Sequence, residues 1–406
     1  MKIETELDLK IAVIGLPNAG KTSTISSFLQ MDIGSMIGPD AGETKYRYPY
    51  DRSYEGNVVY GIDTPGFQDI DHIDEFFKSN KSISIKDYIE EYKSNNTEAV
   101  RRNVEAFRAI EDSDFVIYII NAHQYPNEDD KLLVEMVREY ILREKPMFFF
   151  INEYKEDSRE TWEEYLKNQG IRYILYDAHN VTIENSINAF EYFKQGIEDD
   201  RIKIKCERLI RSIRDDFNKK LTEIIKETIS EFHFTFENYK CMNEYQAGKE
   251  FCKKLNKLAE NCRDKIHSKF NFKGGLEKIN ITGVDLEDVT PWWDKLLNKI
   301  PIYPRIPNRT FVINDPEKIN EIFDKLISDI FAIILCSHAR TGRSRGGESL
   351  TIRNGKYFYE LKEDSDYNKI RNEFFKNPKV KAKRDKLTKY IVSKICKELN
   401  ISTCDG

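Results

Sequence analysis

The sequence has no apolar stretch long enough to cross a bilayer. Apolar stretches such as Met147–Ile151 and Ile327–Cys336, the second of which contains Ser328 and Asp329, are short, whereas a spanning helix needs about 20 consecutive apolar residues. The first ten residues contain no apolar signal core, so we expect no secretory leader. The seven cysteines include no C-x-x-C pair. We therefore expect reduced thiols in a cytoplasmic protein.

An excess of charge of one sign is also lacking. The 64 basic and 69 acidic residues leave a net charge of −5, which gives no global argument for nucleic-acid binding. Hydrophobic residues make up 40% of the chain, enough to build buried cores. Because 406 residues exceed one ordinary domain, we expect two or three domains.

What the sequence does contain is a glycine-rich loop at residues 15–22, which reads G-L-P-N-A-G-K-T. The pattern G-x-x-x-x-G-K-[ST] cradles phosphates with backbone N–H groups when it joins a strand to a helix. A strand is predicted at Lys10–Ile14 and a helix at Thr22–Gln30. Lys21 is then expected to contact the β- and γ-phosphates, and the Thr22 hydroxyl to bind Mg²⁺. The residues expected to line the phosphates are Pro17, Asn18, Ala19, Gly20, Lys21, Thr22 and Ser23.

Two further motifs follow at the spacing of a nucleotide switch. Residues 63–66 read D-T-P-G and come directly after a predicted strand, Asn57–Ile62. In such a D-x-x-G motif, Asp63 can hold Mg²⁺ through water, and the Gly66 N–H can sense the γ-phosphate. Between the two motifs, Thr44 is the candidate for a second Mg²⁺-binding hydroxyl. The alternative is that Thr44 is a threonine of a surface turn.

Predicted strands and helices alternate through the first half of the chain. Such repeated β-α units favour an α/β fold with a doubly wound, mostly parallel sheet of the P-loop NTPase type, and the nucleotide at its C-terminal edge. The predicted strands are 10–14, 46–51, 57–62, 115–121, 147–152 and 172–176. The predicted helices are 22–30, 97–111, 131–142, 161–167 and 186–193.

These motifs resemble those of the translation-factor-related P-loop GTPases. The segments G-L-P-N-A-G-K-T, A-G-E-T-K and D-T-P-G-F are most similar to the Era and tRNA-modification-GTPase group. A more distant resemblance is to bacterial GTPases with a C-terminal helical domain of unknown function. The resemblance covers about the first half of the chain. It implies GTP and GDP as ligands, Mg²⁺ as cofactor and GTP hydrolysis as the activity.

The guanine-reading motif departs from that family. The family pattern is N-K-x-D, whereas residues 152–155 read N-E-Y-K, so only Asn152 matches. Glu156 or Asp157 can reach the base if the loop is shifted; otherwise base selectivity is relaxed or lost. Asp177-Ala178 matches the next base-contacting loop in part. The resemblance therefore implies base contacts from Asn152, Asp177 and Ala178, with phosphate and Mg²⁺ binding better supported than guanine selectivity.

The residue after the switch glycine bears on hydrolysis. Many GTPases place a water-orienting Gln there, but this chain has Phe67, so we expect slow intrinsic turnover. Gln68 is one position further along and is expected to point elsewhere. In the resembled group, an Asn at the position of Asn18 helps bind a K⁺ ion, often where two G domains meet. The resemblance thus implies K⁺- and dimer-stimulated hydrolysis; the alternative is that Asn18 only caps or tightens the loop.

The long segment 67–96 exceeds an ordinary loop. Its composition predicts an enlarged second switch region with a short helix at Ile85–Tyr92. Such a region can form a nucleotide-sensitive partner surface; the alternative is an inert insertion.

The second half of the sequence predicts a mainly helical domain. Long amphipathic helices are indicated at 202–234 and 251–270, forming an antiparallel pair, and a buried helix at 317–335. Asn354-Gly355 predicts a small β-hairpin near 349–360. A basic segment beginning at Lys376 is a candidate for contact with RNA, anionic lipid or an acidic protein, although a solvated helix face is the default.

Together these features predict a GTPase domain at 1–198 that controls a helical effector domain at 199–406. The hypothesis is a cytoplasmic, bacterial-type, Mg²⁺-dependent GTPase switch with an unknown effector protein and a possible G-domain homodimer. Three alternatives stay open: a dynamin-like membrane-associated GTPase, an RNA- or ribosome-associated GTPase, and a nucleotide-binding interaction module that does not hydrolyse.

Overall fold

The computed structural model describes residues 8–29, 31, 33, 44–79, 83–152, 156–176, 178, 183–232, 239–241, 244–270, 287–288, 309–312, 316–336, 350–399 and 401. These residues fall into two compact units, and the division lies between Asp216 and Phe217. The domain boundary at 198/199 stays a prediction.

The N-terminal unit combines a six-stranded sheet with helices. Its strands are β1 Leu9–Ile14, β2 Tyr48–Tyr54, β3 Asn57–Asp63, β4 Phe115–Asn121, β5 Met147–Asn152 and β6 Tyr173–Leu175. Its helices are α1 Lys21–Phe28, α2 Ile70–Ser79, α3 Ile85–Tyr92, α4 Glu98–Asp112, α5 Glu128–Met136, α6 Glu156–Asn168 and α7 Ile183–Gly196. A π-helical turn, Val137–Ile141, continues α5.

The strand order confirms the predicted doubly wound, mostly parallel sheet. The strands lie in the order β2-β3-β1-β4-β5-β6, and every neighbouring pair is parallel except β2 and β3. The antiparallel β2–β3 hairpin turns at Glu55 and Gly56, whose φ angles are 48° and 92°. Positive φ at both central residues is the geometry that twists a two-residue hairpin correctly.

The central strand β4 is buried on both of its faces, as its run of apolar residues predicts. Val116, Tyr118 and Ile120 belong to a large core cluster together with residues of α2 to α5. On the other face, the ring of Phe115 lies 4.8 Å from that of Phe193 in α7. The helices therefore cover both faces of the sheet, and the carboxyl ends of its strands are left to carry the site.

The segment after the switch motif contains more regular structure than predicted. The helix predicted at Ile85–Tyr92 is confirmed as α3, and a second helix, α2, precedes it. Ile73 and Phe77 of α2 and Tyr88 of α3 are buried. Among the described residues, the segment is thus a packed helix pair rather than a long loop.

The second half of the chain is mainly helical, as predicted. Its helices are α8 Asp200–Glu231, α9 Glu244–Phe270, α10 Pro316–Cys336, α11 Leu350–Glu363, α12 Ser365–Lys376 and α13 Lys381–Glu398. The strands β7 Tyr239–Cys241, β8 Glu287–Asp288 and β9 Arg309–Val312, which the sequence did not indicate, form an antiparallel sheet in the order β7-β9-β8. In the part of the chain described by the structure, no helix is both long enough and apolar enough to cross a membrane.

The antiparallel helical pair is confirmed by contacts between α8 and α9. The ring of Phe217 lies 5.1 Å from that of Phe270, and Thr228 Oγ1 lies 3.3 Å from Cys262 Sγ. Lys265 Nζ lies 2.8 Å from Glu227 Oε2, which adds an ion pair at the border of the apolar seam. Because Phe217 in the middle of α8 meets the last residue of α9, whereas Thr228 near the end of α8 meets the earlier Cys262, the helices run in opposite directions.

The β-hairpin predicted near 349–360 is wrong, because residues 350–363 form helix α11. Its buried Tyr357 and Leu361 are four residues apart and so share one helix face. The ring of Tyr357 lies 5.7 Å from that of Phe331 in α10. Asn and Gly are poor helix formers, but their costs of about 0.7 and about 1 kcal/mol are smaller than the free energy gained by burying two large side chains such as Tyr357 and Leu361.

Candidate functional site

The loop between β1 and α1 has a curled backbone. Gly15, Asn18 and Gly20 have φ angles of 148°, 59° and 90°. The Ala19 N–H donates to the Leu16 carbonyl at 3.3 Å, which closes the turn. Positive φ angles at these three positions curl the loop, and a curled backbone of this kind can point its N–H groups into one concavity, which suits an anion. The following helix, α1, adds the positive end of its dipole.

Two glycines in this region are required by close backbone contacts. A Cβ on Gly15 would lie 2.6 Å from the carbonyl oxygen of Ile119 in β4. A Cβ on Gly66 would lie 2.3 Å from the backbone nitrogen of Pro17. Gly66 is thus packed directly on the glycine-rich loop at residues 15–22, and any larger residue would push the switch motif and this loop apart.

Lys21 is buried at the start of α1. Its Nζ donates to the Leu16 carbonyl at 2.8 Å, across the mouth of the loop. Burial lowers the pKa of Lys21 to about 8, and the nearby Asp63 carboxylate opposes that shift. A bound phosphate would place a negative charge beside this buried ammonium and so favour its charged form.

Thr22, Thr44 and Asp63 converge on one point. Thr22 Oγ1 donates to Asp63 Oδ2 at 2.7 Å, and Thr44 Oγ1 donates to the same oxygen at 3.2 Å. Burial raises the pKa of Asp63, while the hydrogen bond from Thr22 and the charge of Lys21 oppose that rise. Hydroxyl and carboxylate oxygens are the donors that a hard divalent cation prefers, so this set fits Mg²⁺.

The remaining residues of the loop take simple positions. Pro17 and Asn18 are exposed, Ala19 is buried, and Ser23 lies half-buried in the first turn of α1. Gly20 occupies the N-terminal cap position of α1, which has no side-chain cap. Asn18 therefore does not cap this helix; that it tightens the loop, or that it helps bind K⁺, stays a prediction.

The two residues after the switch glycine are held in place. Phe67 is buried, its ring lies 5.2 Å from that of Phe107, and its N–H donates to the Gly15 carbonyl at 3.2 Å. Its side chain belongs to the core and is unable to orient water. The Gln68 N–H donates to Asn103 Oδ1 at 2.9 Å, and its carbonyl accepts from Asn103 Nδ2 at 2.6 Å.

Asn152 lies at the carboxyl end of β5 and is fully buried. Its Nδ2 donates to the Ala19 carbonyl at 3.3 Å, and its Oδ1 accepts from the Ala178 N–H at 3.0 Å. Asn152 thus ties the loop to the segment after β6 and brings Ala178 to the site. Asp177 and residues 153–155 lie outside the described residues. Asp157 lies exposed in the first turn of α6.

Asn121 is a site residue that the sequence reasoning missed. It ends β4, and its Nδ2 lies 3.4 Å from the Asn18 carbonyl, while its Oδ1 accepts from the His123 N–H at 2.9 Å. A polar residue directly after an apolar strand, at the sheet edge already chosen for the nucleotide, was the signal available for it.

Searched over the described residues, the chain contains no group of three or more His, Cys, Asp or Glu side chains placed to hold a metal ion. The Asp63 site differs in kind, because two of its three oxygens come from threonine hydroxyls.

Comparison with known proteins gives one family match. Residues 10–153 match the family described as 50S ribosome-binding GTPase. The GTPase Der of Desulfitobacterium hafniense is 26% identical over 192 residues, which cover 47% of this chain and 38% of that protein. The GTPase Der of Rickettsia bellii is 37% identical over 89 residues, which cover 22% of this chain and 19% of that protein.

Two solved structures were matched to about half of the chain. Era in complex with MgGDPNP and a 16S ribosomal RNA fragment matches 48% of this chain and 58% of its own, at 17% identity and a TM-score of 0.34. The selenocysteine-specific elongation factor EF-Sec matches 47% of this chain and 29% of its own, at 13% identity and a TM-score of 0.31.

The matched region coincides with the sheet and the site built above. The chain spans between 19% and 42% of the length of the curated relatives it matches, so the match concerns this part of the chain. It includes the loop at 15–22, Thr44, the D-T-P-G motif and Asn152. The match identifies residues 10–153 as a P-loop GTPase domain that is similar to part of the Der GTPases.

Proposed function

We propose that the whole chain is a GTP-hydrolysing molecular switch that requires Mg²⁺. The observation that carries the proposal is the convergence of the Thr22 and Thr44 hydroxyls on Asp63 Oδ2, at 2.7 and 3.2 Å. Thr22 belongs to the phosphate loop, whereas Thr44 belongs to a separate segment before β2. A metal held between them would link the loop to that segment only while a nucleotide is bound.

Each residue of the site has a definite task in this proposal. The curled backbone from Pro17 to Ser23 binds the phosphates, and the Lys21 ammonium compensates their charge. Thr22, Thr44 and Asp63 are the groups that would hold Mg²⁺. When bound, the metal would neutralise the charge that develops on the β- and γ-phosphate oxygens. The Gly66 N–H lies beside the loop, where it can detect the γ-phosphate.

The proposal is tested by metal titration of hydrolysis. Asp63→Asn should raise the Mg²⁺ concentration needed for half-maximal turnover by about 10- to 100-fold, because a neutral amide holds the cation shell less well. Thr44→Ala should lower GTP turnover and leave GDP affinity nearly unchanged, because Thr44 is not part of the phosphate loop.

Thr161→Ala provides the matched control. Its hydroxyl donates to the Asp157 carbonyl within α6, away from the converging oxygens. This variant should behave like the wild type in both assays. Unchanged metal dependence in Asp63→Asn would remove Asp63 from the metal site, and absence of GTP hydrolysis in the wild type would leave a nucleotide-binding module that does not hydrolyse.

The base preference rests on less support than the phosphate site. Both ends of the Asn152 amide are already engaged by Ala19 and Ala178, so Asn152 acts first as a brace. We propose GTP and GDP as the ligands on the similarity to the Der and Era GTPases. A thermal-shift comparison of GTP, GDP, ATP and ADP with Mg²⁺ tests this; equal stabilisation by adenine nucleotides would contradict guanine selectivity.

We also propose that Asn18 helps bind a K⁺ ion that stimulates hydrolysis, and that two G domains pair as a homodimer. Two observations support a ligand role: Asn18 is exposed, and it makes no side-chain hydrogen bond to cap α1. Turnover in K⁺ should exceed turnover in Na⁺, and Asn18→Ala should remove the difference. Equal rates in the two salts would leave Asn18 without this role, while a rise of specific activity with protein concentration would support the homodimer.

A second candidate function, contact with RNA, has one specific observation behind it. Residues 376–389 contain seven Lys and Arg against one Asp, and the first turn of α13 has no acidic residue. Within the described residues, Lys386 pairs with Glu373 at 2.9 Å. RNA binding whose affinity falls steeply as the salt concentration rises would support this function. Sedimentation with anionic vesicles would instead favour the membrane-associated alternative.

The proposed switch acts from the cytoplasm on an effector protein through the helical second half. Its free cysteines support a reducing compartment: Cys206, Cys262 and Cys396 are buried, and burial raises their pKa values. No described residue identifies the effector protein. A pull-down comparing the GDP-loaded and GTP-analogue-loaded protein is the direct way to find it.

A further inference from the structure

Asn103 is a fully buried amide on α4 that holds the main chain of the switch segment at two points. Its Oδ1 accepts from the Gln68 N–H at 2.9 Å, and its Nδ2 donates to the Gln68 carbonyl at 2.6 Å. Thirty-five positions separate the two residues. Gln68 in turn follows Gly66 by two residues, so the clamp acts directly on the turn that faces the phosphates.

Only a side chain with an acceptor and a donor side by side can make this contact. An amide has both, whereas a carboxylate only accepts and an aliphatic side chain does neither. Because the site is buried, losing the amide would leave a main-chain N–H and a carbonyl without partners, which is costly. The two-point contact therefore fixes where the main chain of Gln68 lies.

The same helix face also contacts α3. Phe107, one turn after Asn103, has its ring 5.2 Å from that of Phe67 and 4.7 Å from that of Tyr88. The Tyr88 phenol approaches Asn103 itself: burial raises the pKa of Tyr88, and its interaction with the Asn103 side chain opposes the rise. Asn103 and Phe107 thus each meet both the switch turn and the helix pair α2–α3.

The switch turn is held by β1 and the phosphate loop as well as by α4. The Phe67 N–H is bonded to the Gly15 carbonyl, and Thr64 Oγ1 donates to the Val13 carbonyl at 2.7 Å. Gly66 lies against the backbone of Pro17. A shift of the Gly66 N–H toward a γ-phosphate would therefore have to carry Phe67 and Gln68 with it, and these two contact α4 directly.

We propose that Asn103 is the positioning residue that sets the γ-phosphate-sensing turn and transmits its position to the inserted helix pair α2–α3. The inference rests on the proposed GTPase function and deepens it, because it assigns the part of the chain that reads the bound nucleotide. The helix pair is then an output surface whose arrangement depends on whether GTP or GDP is present.

The first test uses the unmodified full chain. Hydrogen exchange is measured with GDP and with a non-hydrolysable GTP analogue, both with Mg²⁺, on peptides covering residues 64–70 and 85–92. The exchange of both segments should change together between the two nucleotides. A change confined to 64–70, with identical exchange at 85–92, would overturn the proposal.

The second test separates positioning from simple stability. Asn103→Leu should lower the preference for the GTP analogue over GDP by about tenfold, through the loss of buried hydrogen bonds. Ser113→Ala is the matched control: Ser113 is also buried, lies at the other end of α4 and donates to the Ile110 carbonyl at 2.8 Å. It should lower the melting temperature without altering the nucleotide preference.

The outcomes distinguish this inference from the function on which it rests. If the wild type binds neither nucleotide, the proposed function fails, and the inference fails with it. If the wild type binds both and Asn103→Leu keeps the wild-type preference, only the inference fails. Should Asn103→Leu not fold, the exchange experiment on the unmodified chain decides alone.

Discussion

At the scale of single residues, the sequence identified the chemical groups and burial determines their behaviour. Lys21 and Asp63 were predicted from motifs, and both are almost completely buried. Burial favours the neutral form of each, while each charge favours the charged form of the other. A bound polyphosphate and a divalent cation would compensate both charges, so nucleotide and metal binding should depend on pH.

The pKa of Lys21, lowered to about 8, predicts the direction of that dependence. The ammonium form binds phosphate, and it is lost as the pH rises through the folded-state pKa. Nucleotide affinity should therefore be constant below pH ~8 and fall above it, by at most about tenfold per pH unit. Fluorescence titration with a labelled GDP from pH ~7 to ~9.5 measures this.

Lys21→Arg serves as the control for that titration. A guanidinium stays charged throughout this range, so the variant should bind with an affinity that does not depend on pH, even if the affinity itself is lower. A wild-type affinity that stays constant up to pH ~9.5 would contradict the lowered pKa.

At the scale of elements, local signals succeeded where tertiary packing agreed with them. The strands β4 and β5 begin and end at the predicted residues, because their apolar runs are buried by helices on both faces of the sheet. Two dipeptides that end in glycine have different structures. Glu55-Gly56 forms the β2–β3 turn, whereas Asn354-Gly355 lies inside α11. Asn354-Gly355 is the stronger turn dipeptide, but it lies in a helix because Tyr357 and Leu361 are buried on one helix face.

This contrast makes opposite predictions for two glycine substitutions. Gly355→Ala should stabilise the protein by about 0.5–1 kcal/mol, because alanine is the better residue inside a helix. Gly56→Ala should destabilise it, because the φ of 92° there is strained for any residue with a Cβ. Thermal unfolding of the full chain measures both. A loss of stability in Gly355→Ala would contradict the helix and support the predicted hairpin for this segment.

At the scale of the whole molecule, α8 determines where the N-terminal unit ends. The first half of this helix contacts the GTPase domain: Lys205 Nζ lies 2.9 Å from Asp114 Oδ1, and Asn57 Nδ2 donates to Ser212 Oγ at 2.7 Å. Four apolar side chains of the same stretch are buried, namely Cys206, Leu209, Ile210 and Ile213. We propose that the GTPase unit needs residues 199–216 as well as the predicted 1–198.

Two truncated proteins test this boundary. The fragment 1–216 should unfold at a higher temperature than the fragment 1–198, since each buried aliphatic side chain contributes about 1.5–3 kcal/mol. The stabilisation by GDP should be the same in both fragments if both fold, because the phosphate loop is common to them. Equal melting temperatures would support the boundary at 198/199.

The sequence by itself determined the chemical groups of the proposed phosphate site, because G-L-P-N-A-G-K-T and D-T-P-G act through local backbone geometry and fixed side-chain types. It also determined the buried strands β1, β4 and β5, since a strand that is buried on both faces is apolar along most of its length. The contacts that Asn103, Asn121 and Asn152 make follow only from the tertiary structure. Each of these amides acts by contacting main chain far away along the sequence, and no local pattern encodes which distant carbonyl or N–H a buried amide will meet. For the same reason only the tertiary structure decided that Asn354-Gly355 lies in a helix: the packing of Tyr357 against α10 outweighs a turn preference that the chain expresses on its own.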